Sequence, residues 1–356
     1  MDNKTWLLYG ANGYSGERAA RAAKAQGHKP VLAGRNEIAI SKLAKELDLP
    51  FRIFGLENTA TIQEHLWDIA VVVHAAGPFS ATSEPMIKAC IASRVHYVDI
   101  TGEVEVFERA QRFDKVAKQA GVVVCPGVGF DVIPTDCVAA VLHEELPDAV
   151  SLTLGFHGNL RPSRGTAKTA LEGASKGIFV RRDGKLQQVA RDYRLRNIDF
   201  GNGSRRAAVI PWGDISTAYW TTSIPNISVY IPERSSRLSM KLFGLQKMLL
   251  SCQPVRKMLI KKIDEGARGP EVKNGRSEGA MFVWGEIRNA AGRTVEARLK
   301  TSNGYDVTVE GMMYAATHLL SYRGRGGYMT PSQLFGKRLI EQFEGCSRIE
   351  ITQRQA

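Results

Sequence analysis

The chain has 356 residues, 44% hydrophobic and 24% charged, which suffices for two domains with a sizeable core and is ordinary for a globular protein. Its net charge of +12 is lopsided: residues 1–130 hold 15 Lys/Arg against 14 Asp/Glu, and residues 131–356 hold 33 against 22. Five scattered cysteines without a C-x-x-C pair argue against a disulfide framework or structural zinc, no apolar run reaches the roughly 18 residues of a membrane span, and no repeat suggests a solenoid.

The first strand is expected at 6–9, so near the first residue that no cleavable leader is expected; with unpaired cysteines, this makes the cytoplasm the expected compartment. It runs into Gly10-Ala11-Asn12-Gly13-Tyr14-Ser15-Gly16 and a helix near 15–26. Gly10 lets the chain leave the strand tightly, Gly13 lets backbone approach a pyrophosphate, and Gly16 lets the helix lie close to the sheet. The helix N-terminus then offers N–H groups and a positive dipole end to phosphate. Gly10, Asn12, Gly13, Tyr14, Ser15 and Gly16 are therefore the first cofactor-binding candidates.

The second strand, 30–33, ends Ala33-Gly34-Arg35-Asn36, with no acid at its tip to hold a ribose 2′-hydroxyl. Arg35 stands where a 2′-phosphate would lie, and its guanidinium can grip one with two hydrogen bonds. Gly34, Arg35 and Asn36 join the candidates, Lys42 adds charge, and NADP is the expected cofactor. Strands at 51–54 and 69–74 follow, the latter ending His74-Ala75-Ala76-Gly77-Pro78-Phe79. Small residues at a strand's carboxyl end leave room for a ligand, so Ala75, Ala76, Gly77, Pro78 and Phe79 are expected to line the nicotinamide side, while His74 reads as buried strand. Strands at 96–99 and 122–125, with helices near 38–47, 59–66, 83–93 and 104–120, complete an α/β, doubly wound parallel Rossmann sheet.

Further strands are expected at 151–156, 208–210, 227–231, 281–287, 294–300 and 305–309, in a mostly antiparallel sheet. Helices are expected at 310–321 and 331–344, with a glycine-rich turn at 324–327 between them. Hydride transfer needs a proton donor, and no tyrosine carries a lysine four positions on, which argues against the short-chain dehydrogenase solution. Asp99 and Glu103, after the fifth strand, Asp131, after the sixth, and Lys168 are the catalytic candidates. Helix capping or turn fixing competes with that role for each acid, and a solvated position for the lysine. No metal is expected, because no cluster has ligand spacing.

Residues 161–206 carry 12 Lys/Arg against 4 Asp/Glu, and residues 237–262 carry 7 with no acid among many leucines and methionines. The second stretch suits a membrane surface, an acyl chain or an acidic carrier protein; a helical pair docked on its own domain or on a second copy is the competing reading. Neither stretch has the aromatic interleaving of a nucleic-acid site, so none is expected.

The glycine turn, Ala33 to Asn36, Ala75 to Phe79, Tyr97 to Glu103, Pro126 to Asp136, Gly165-Thr166 and Gly326 to Pro331 together resemble the saccharopine dehydrogenase-like superfamily, in particular its branch of trans-acting enoyl reductases and saccharopine dehydrogenase-like oxidoreductases. The resemblance implies a Rossmann domain at 1–131 and 310–356, with a second α+β domain at 132–309 inserted before C-terminal helices that return to it. It implies an NADP(H)-dependent oxidoreductase, a reductase of an enoyl, carbonyl or imine substrate working in the crevice between the domains; the mostly antiparallel sheet could serve as the surface of a homodimer. The alternative is a non-catalytic NADP(H)-binding protein that docks on a membrane or protein partner through residues 237–262, which would make it a peripheral membrane protein.

Overall fold

In the computed structural model, residues 5–158, 161–190, 195–233, 253–266, 269–273 and 276–354 are described. The chain forms two compact units, residues 1–133 with 305–334 and residues 134–304 with 335–356.

The first unit is built on β1 (Thr5–Tyr9), β2 (Val31–Gly34), β3 (Phe51–Ile53), β4 (Ile69–His74), β5 (His96–Asp99) and β6 (Val123–Cys125), with Gly327–Tyr328 added from far along the chain. These seven strands lie in the order Gly327–Tyr328, β6, β5, β4, β1, β2, β3, all paired parallel. The order reverses between β1 and β4, and in such sheets ligands bind at the carboxyl ends of the strands beside that reversal. The strands read as unbroken apolar runs because helices cover both faces; Leu7, Val31, Val72, Tyr97 and Val124 share one core cluster. The first helix, α1 (Tyr14–Ala25), buries only Gly16, Ala19, Ala20 and Ala23, a face flat enough to lie close to the sheet.

The second unit holds a mixed nine-stranded sheet. Its main path runs β10 (Arg196–Asp199), β11 (Ser204–Ile210), β12 (Asn226–Pro232), β7 (Ala149–Gly158), β15 (Met281–Asn289), β16 (Thr294–Thr301) and β18 (Glu350–Arg354). Only β12 and β7 pair parallel along that path. A hairpin of β8 (Ile178–Arg182) and β9 (Lys185–Val189) joins through β12, turning at Asp183-Gly184, both of positive φ.

Three expectations need correction. Residues 305–309 are not a strand; they open the helix Gly304–Leu320. Tyr305, Val307 and Val309 alternate like a strand, but nearly every neighbour is buried as well, so no polar face marks the helical period. Residues 331–344 give only a short helix, Pro331–Phe335, and a 3-10 turn, Leu339–Gln342, because Gly336 takes φ 97° between them. The segment from 335 onward does not return to the first unit: β18 pairs antiparallel with β16 in the second sheet.

The helix Gly304–Leu320 lies so close to the loop after β6 that a Cβ on Gly311 would stand 2.3 Å from the Val128 carbonyl oxygen. Gly311→Ala therefore forces the helix off the loop and should cost about 2 kcal/mol of stability, measured by denaturant unfolding. An unchanged midpoint would mean that the helix does not depend on this contact.

Candidate functional site

The turn after β1 is shaped by what its glycines lack. Gly10 takes φ 84°, and a Cβ there would meet the Ala76 nitrogen at 2.8 Å. Its N–H donates to Ala33 O at 2.7 Å, and its own carbonyl receives the Gly13 N–H at 2.9 Å. A Cβ on Gly16 would come within 2.3 Å of the Gly10 oxygen, so α1 can start here only with glycine at that position. Gly13 is the N-cap of α1, in extended conformation, and no side chain caps the helix. Asn12 fills the neighbouring space, its Oδ1 lying 3.4 Å from where a Cβ on Gly34 would stand. The first N–H groups of α1 thus face a cradle bare of side-chain caps, a fit for a pyrophosphate.

Arg35 extends the cradle. It is exposed to solvent. Asn36 is an N-cap: its side chain accepts the Ala39 N–H at 3.0 Å to start the helix Glu37–Leu47. Lys42 is exposed on that helix. A solvated guanidinium at the tip of β2 suits the 2′-phosphate of NADP.

The turn after β4 runs Ala75, Ala76, Gly77, Pro78, Phe79, with a cis bond before Pro78. Ala75 N–H donates to Tyr9 O, which ties this turn to the end of β1. Glu103 then fixes its far end: the carboxylate accepts the N–H groups of Phe79 and Ser80, each at 2.9 Å. The helix Phe79–Ala92 therefore begins four residues before the expected 83, capped by an acid distant in sequence. His74 is wholly buried between Tyr9 and Phe79, with Nε2 3.0 Å from the Thr82 hydroxyl. Burial pulls its pKa down to about 3, so it stays neutral and serves as packing.

The carboxylates after β5 and β6 differ in their work. Asp99 is fully buried and fixes two turns at once: Oδ1 accepts the Thr101 and Gly127 N–H groups at 3.0 Å each, and Oδ2 accepts the Tyr97 hydroxyl at 2.7 Å. Burial raises its pKa to about 6, against the pull of those bonds. Asp131 is half-buried beside Gly102, where a Cβ would stand 2.7 Å from its Oδ2. Burial pushes its carboxyl up to about 7. Lys168 lies on the helix Arg164–Lys176 of the second unit, whose N-cap is Ser163.

The returning helix adds residues that the sequence did not flag. Asp306 makes a buried ion pair with Arg18 of α1, and Tyr305 sets its ring edge-on to Tyr14 at 4.9 Å. Thr308 accepts the Phe130 N–H at 3.1 Å and so helps hold the loop that carries Asp131. Arg18 and Asp306 stand 288 positions apart, and no local pattern links them. Of the basic apolar segment, 237–252 lies outside the described residues. Residues 253–262 belong to the helix Gln253–Glu265, which packs on Arg164–Lys176 of its own unit and whose end meets the Arg164 guanidinium at the Gly266 carbonyl. Among the described residues no helix is long and apolar enough to cross a membrane, and no His/Cys/Asp/Glu group could hold a metal.

With this geometry in view, residues 6–125 match the family described as the saccharopine dehydrogenase NADP binding domain. A saccharopine dehydrogenase-like oxidoreductase of Homo sapiens is 28% identical over 150 residues, 36% of this chain and 35% of that protein. A protein of Mycobacterium tuberculosis named as a trans-acting enoyl reductase is 30% identical over 182 residues, 47% of this chain and 43% of its own length. The match thus spans less than half of either relative. Saccharopine dehydrogenase (L-Glu forming) of Saccharomyces cerevisiae shares the fold, with TM-score 0.63 over 99% of this chain and 100% of its own at 12% identity. Over residues 6–125 the first unit is thus similar to a saccharopine dehydrogenase NADP binding domain, and its cofactor is NADP. Gly10, Gly13 and Gly16 would admit the pyrophosphate, Arg35 the 2′-phosphate, and Ala75 to Phe79 the nicotinamide side.

A Cβ on Gly13 would meet the Gly10 oxygen at 3.2 Å and the Ala75 oxygen at 3.9 Å, so the turn must give by a few tenths of an ångström to take it. Gly13→Ala should weaken NADPH binding by about tenfold or more in protein that remains folded, since the methyl group enters the phosphate cradle. Equal affinity in the variant, by fluorescence titration, would move the pyrophosphate elsewhere.

Proposed function

We propose that this chain is an NADP(H)-dependent oxidoreductase that reduces an enoyl, carbonyl or imine bond. The observation that carries the reading is the bare glycine cradle with Arg35 exposed at the tip of β2. The cofactor supplies the hydride. What the chain supplies is a cradle for the phosphates, a turn of small residues that leaves room for a flat ring, and carboxyl groups near its far end. Among substrates, an acyl chain with an activated double bond is favoured by the relative named as an enoyl reductase. Lys168 remains a candidate for substrate contact. The protein acts in the cytoplasm as a homodimer.

A second reading keeps the cofactor and drops the reaction: an NADP(H)-binding protein that docks peripherally on a membrane or an acidic carrier. One observation favours it. The helix Gln253–Glu265 leaves Met258 63% exposed, with Lys261 and Lys262 exposed on the same helix.

The two readings separate in a turnover screen. Purified protein with NADPH and a panel of enoyl-thioesters, ketones, aldehydes and cyclic imines should oxidise the nucleotide with at least one class. Silence across the panel, together with tight NADPH binding, would leave the docking reading in place.

A further inference from the structure

The phosphate cradle is only as fixed as the helix that forms half of it. The face that α1 buries is made of Gly16, Ala19, Ala20 and Ala23, small residues with little apolar area to hold it. Its outer ion pairs, Arg21 with Glu17 and Glu46 and Lys24 with Asp48, are open to water, and pairs of that kind contribute little. Arg18 differs from them. One turn in from Tyr14, where the helix begins, it pairs with Asp306 at side-chain exposures of 11% and 5%. The same guanidinium lies 5.7 Å from the centre of the Tyr14 ring, and that ring meets Tyr305 edge-on at 4.9 Å.

Asp306 stands on a fixed support. It lies in the first turn of the helix Gly304–Leu320, where the positive end of the helix dipole favours a carboxylate. Two residues on, Thr308 accepts the Phe130 N–H, and Gly311 lies against the Val128 carbonyl with no room for a Cβ. The loop that carries Val128 is held in turn. The Gly127 N–H donates to the Asp99 side chain at 3.0 Å, and the Val128 N–H donates to the Asp99 carbonyl at 2.7 Å. An anchored carboxylate thus grips α1 within a turn of its first N–H groups, the groups that would meet a pyrophosphate.

We propose that Arg18 and Asp306 are positioning residues for the nucleotide: their buried pair holds the N-terminal turn of α1 in the attitude that receives the pyrophosphate. This rests on the pyrophosphate lying at the glycine cradle and is independent of which bond the cofactor reduces. Hydrogen bonds weaken steeply with misalignment, so a helix free to tilt at that turn binds a pyrophosphate less well. Arg35 is carried by the end of β2, and its contact with a 2′-phosphate keeps its place when α1 tilts. The pair therefore acts on one half of the dinucleotide site and leaves the other unchanged.

The test compares two ligands on the full chain: NADPH, which carries the pyrophosphate, and adenosine 2′-monophosphate, which reaches Arg35 without one. Arg18→Met/Asp306→Leu replaces the pair with apolar groups and leaves no buried charge unpaired, so the protein should fold. By titration it should bind NADPH at least about fivefold more weakly than the wild type and adenosine 2′-monophosphate equally well. Arg18→Lys, which keeps the charge and loses the planar fork, should weaken NADPH to a smaller degree and again spare the monophosphate. NADPH affinity unchanged in both variants overturns the assignment, as does an equal loss for the two ligands, which marks a general loosening of the unit. If Gly13→Ala weakens NADPH and these variants do not, this inference alone is refuted; if none of them weakens it, the cradle falls as well.

Discussion

No side chain fits between the turn after β1 and the turn after β4. Gly10 presses on Ala75 and Ala76 at distances where even a methyl group collides with backbone, and Gly16 presses on Gly10 in turn. That double close approach brings the start of α1 to the edge of the sheet where the strand order reverses. It leaves the first N–H groups of α1 uncapped, so the fold itself produces the anion site. Alanines at the end of β4 and along the buried face of α1 follow from the same crowding.

Rigidity around this cradle comes from acids that act on backbone. Asp99 joins the ends of β5 and β6, and Glu103 caps the helix that follows the β4 turn. Buried carboxylates are costly unless hydrogen-bonded, and here each bond also fixes a loop at the carboxyl end of the sheet. Candidates for chemistry and residues that merely shape the site thus look alike in sequence. Both are acids just past a strand, and only their hydrogen bonds tell them apart.

The first unit was legible because its signals are local. Trp6 to Tyr9 followed by three spaced glycines marks a strand, a tight turn and a helix start within eleven residues, and the tip of β2 reads directly as Gly34-Arg35-Asn36. What escaped was non-local or hidden by burial. That Asn36 also caps a helix, accepting the Ala39 N–H, went unread. The helix Gly304–Leu320 is apolar almost all round, so Tyr305 to Val309 mimicked a strand. The pairing of β18 with β16 joins segments separated by the helix Gly304–Leu320 and the turns after it, and the Arg18–Asp306 ion pair joins residues far more distant still. One local signal was overlooked: Asp183-Gly184 between two polar-apolar runs is a hairpin turn, and β8 and β9 form on it.

The central claim is that the first unit binds NADP through the glycine cradle and reads its 2′-phosphate with Arg35. A fluorescence titration of the full chain with NADPH and with NADH, repeated on Arg35→Asp, tests it most directly. NADPH should bind the wild type at least about tenfold more tightly, a gap of roughly 1.4 kcal/mol, and the substitution should erase the gap by weakening NADPH alone. Equal binding of the two nucleotides by the wild type, or a preference that survives Arg35→Asp, would contradict it.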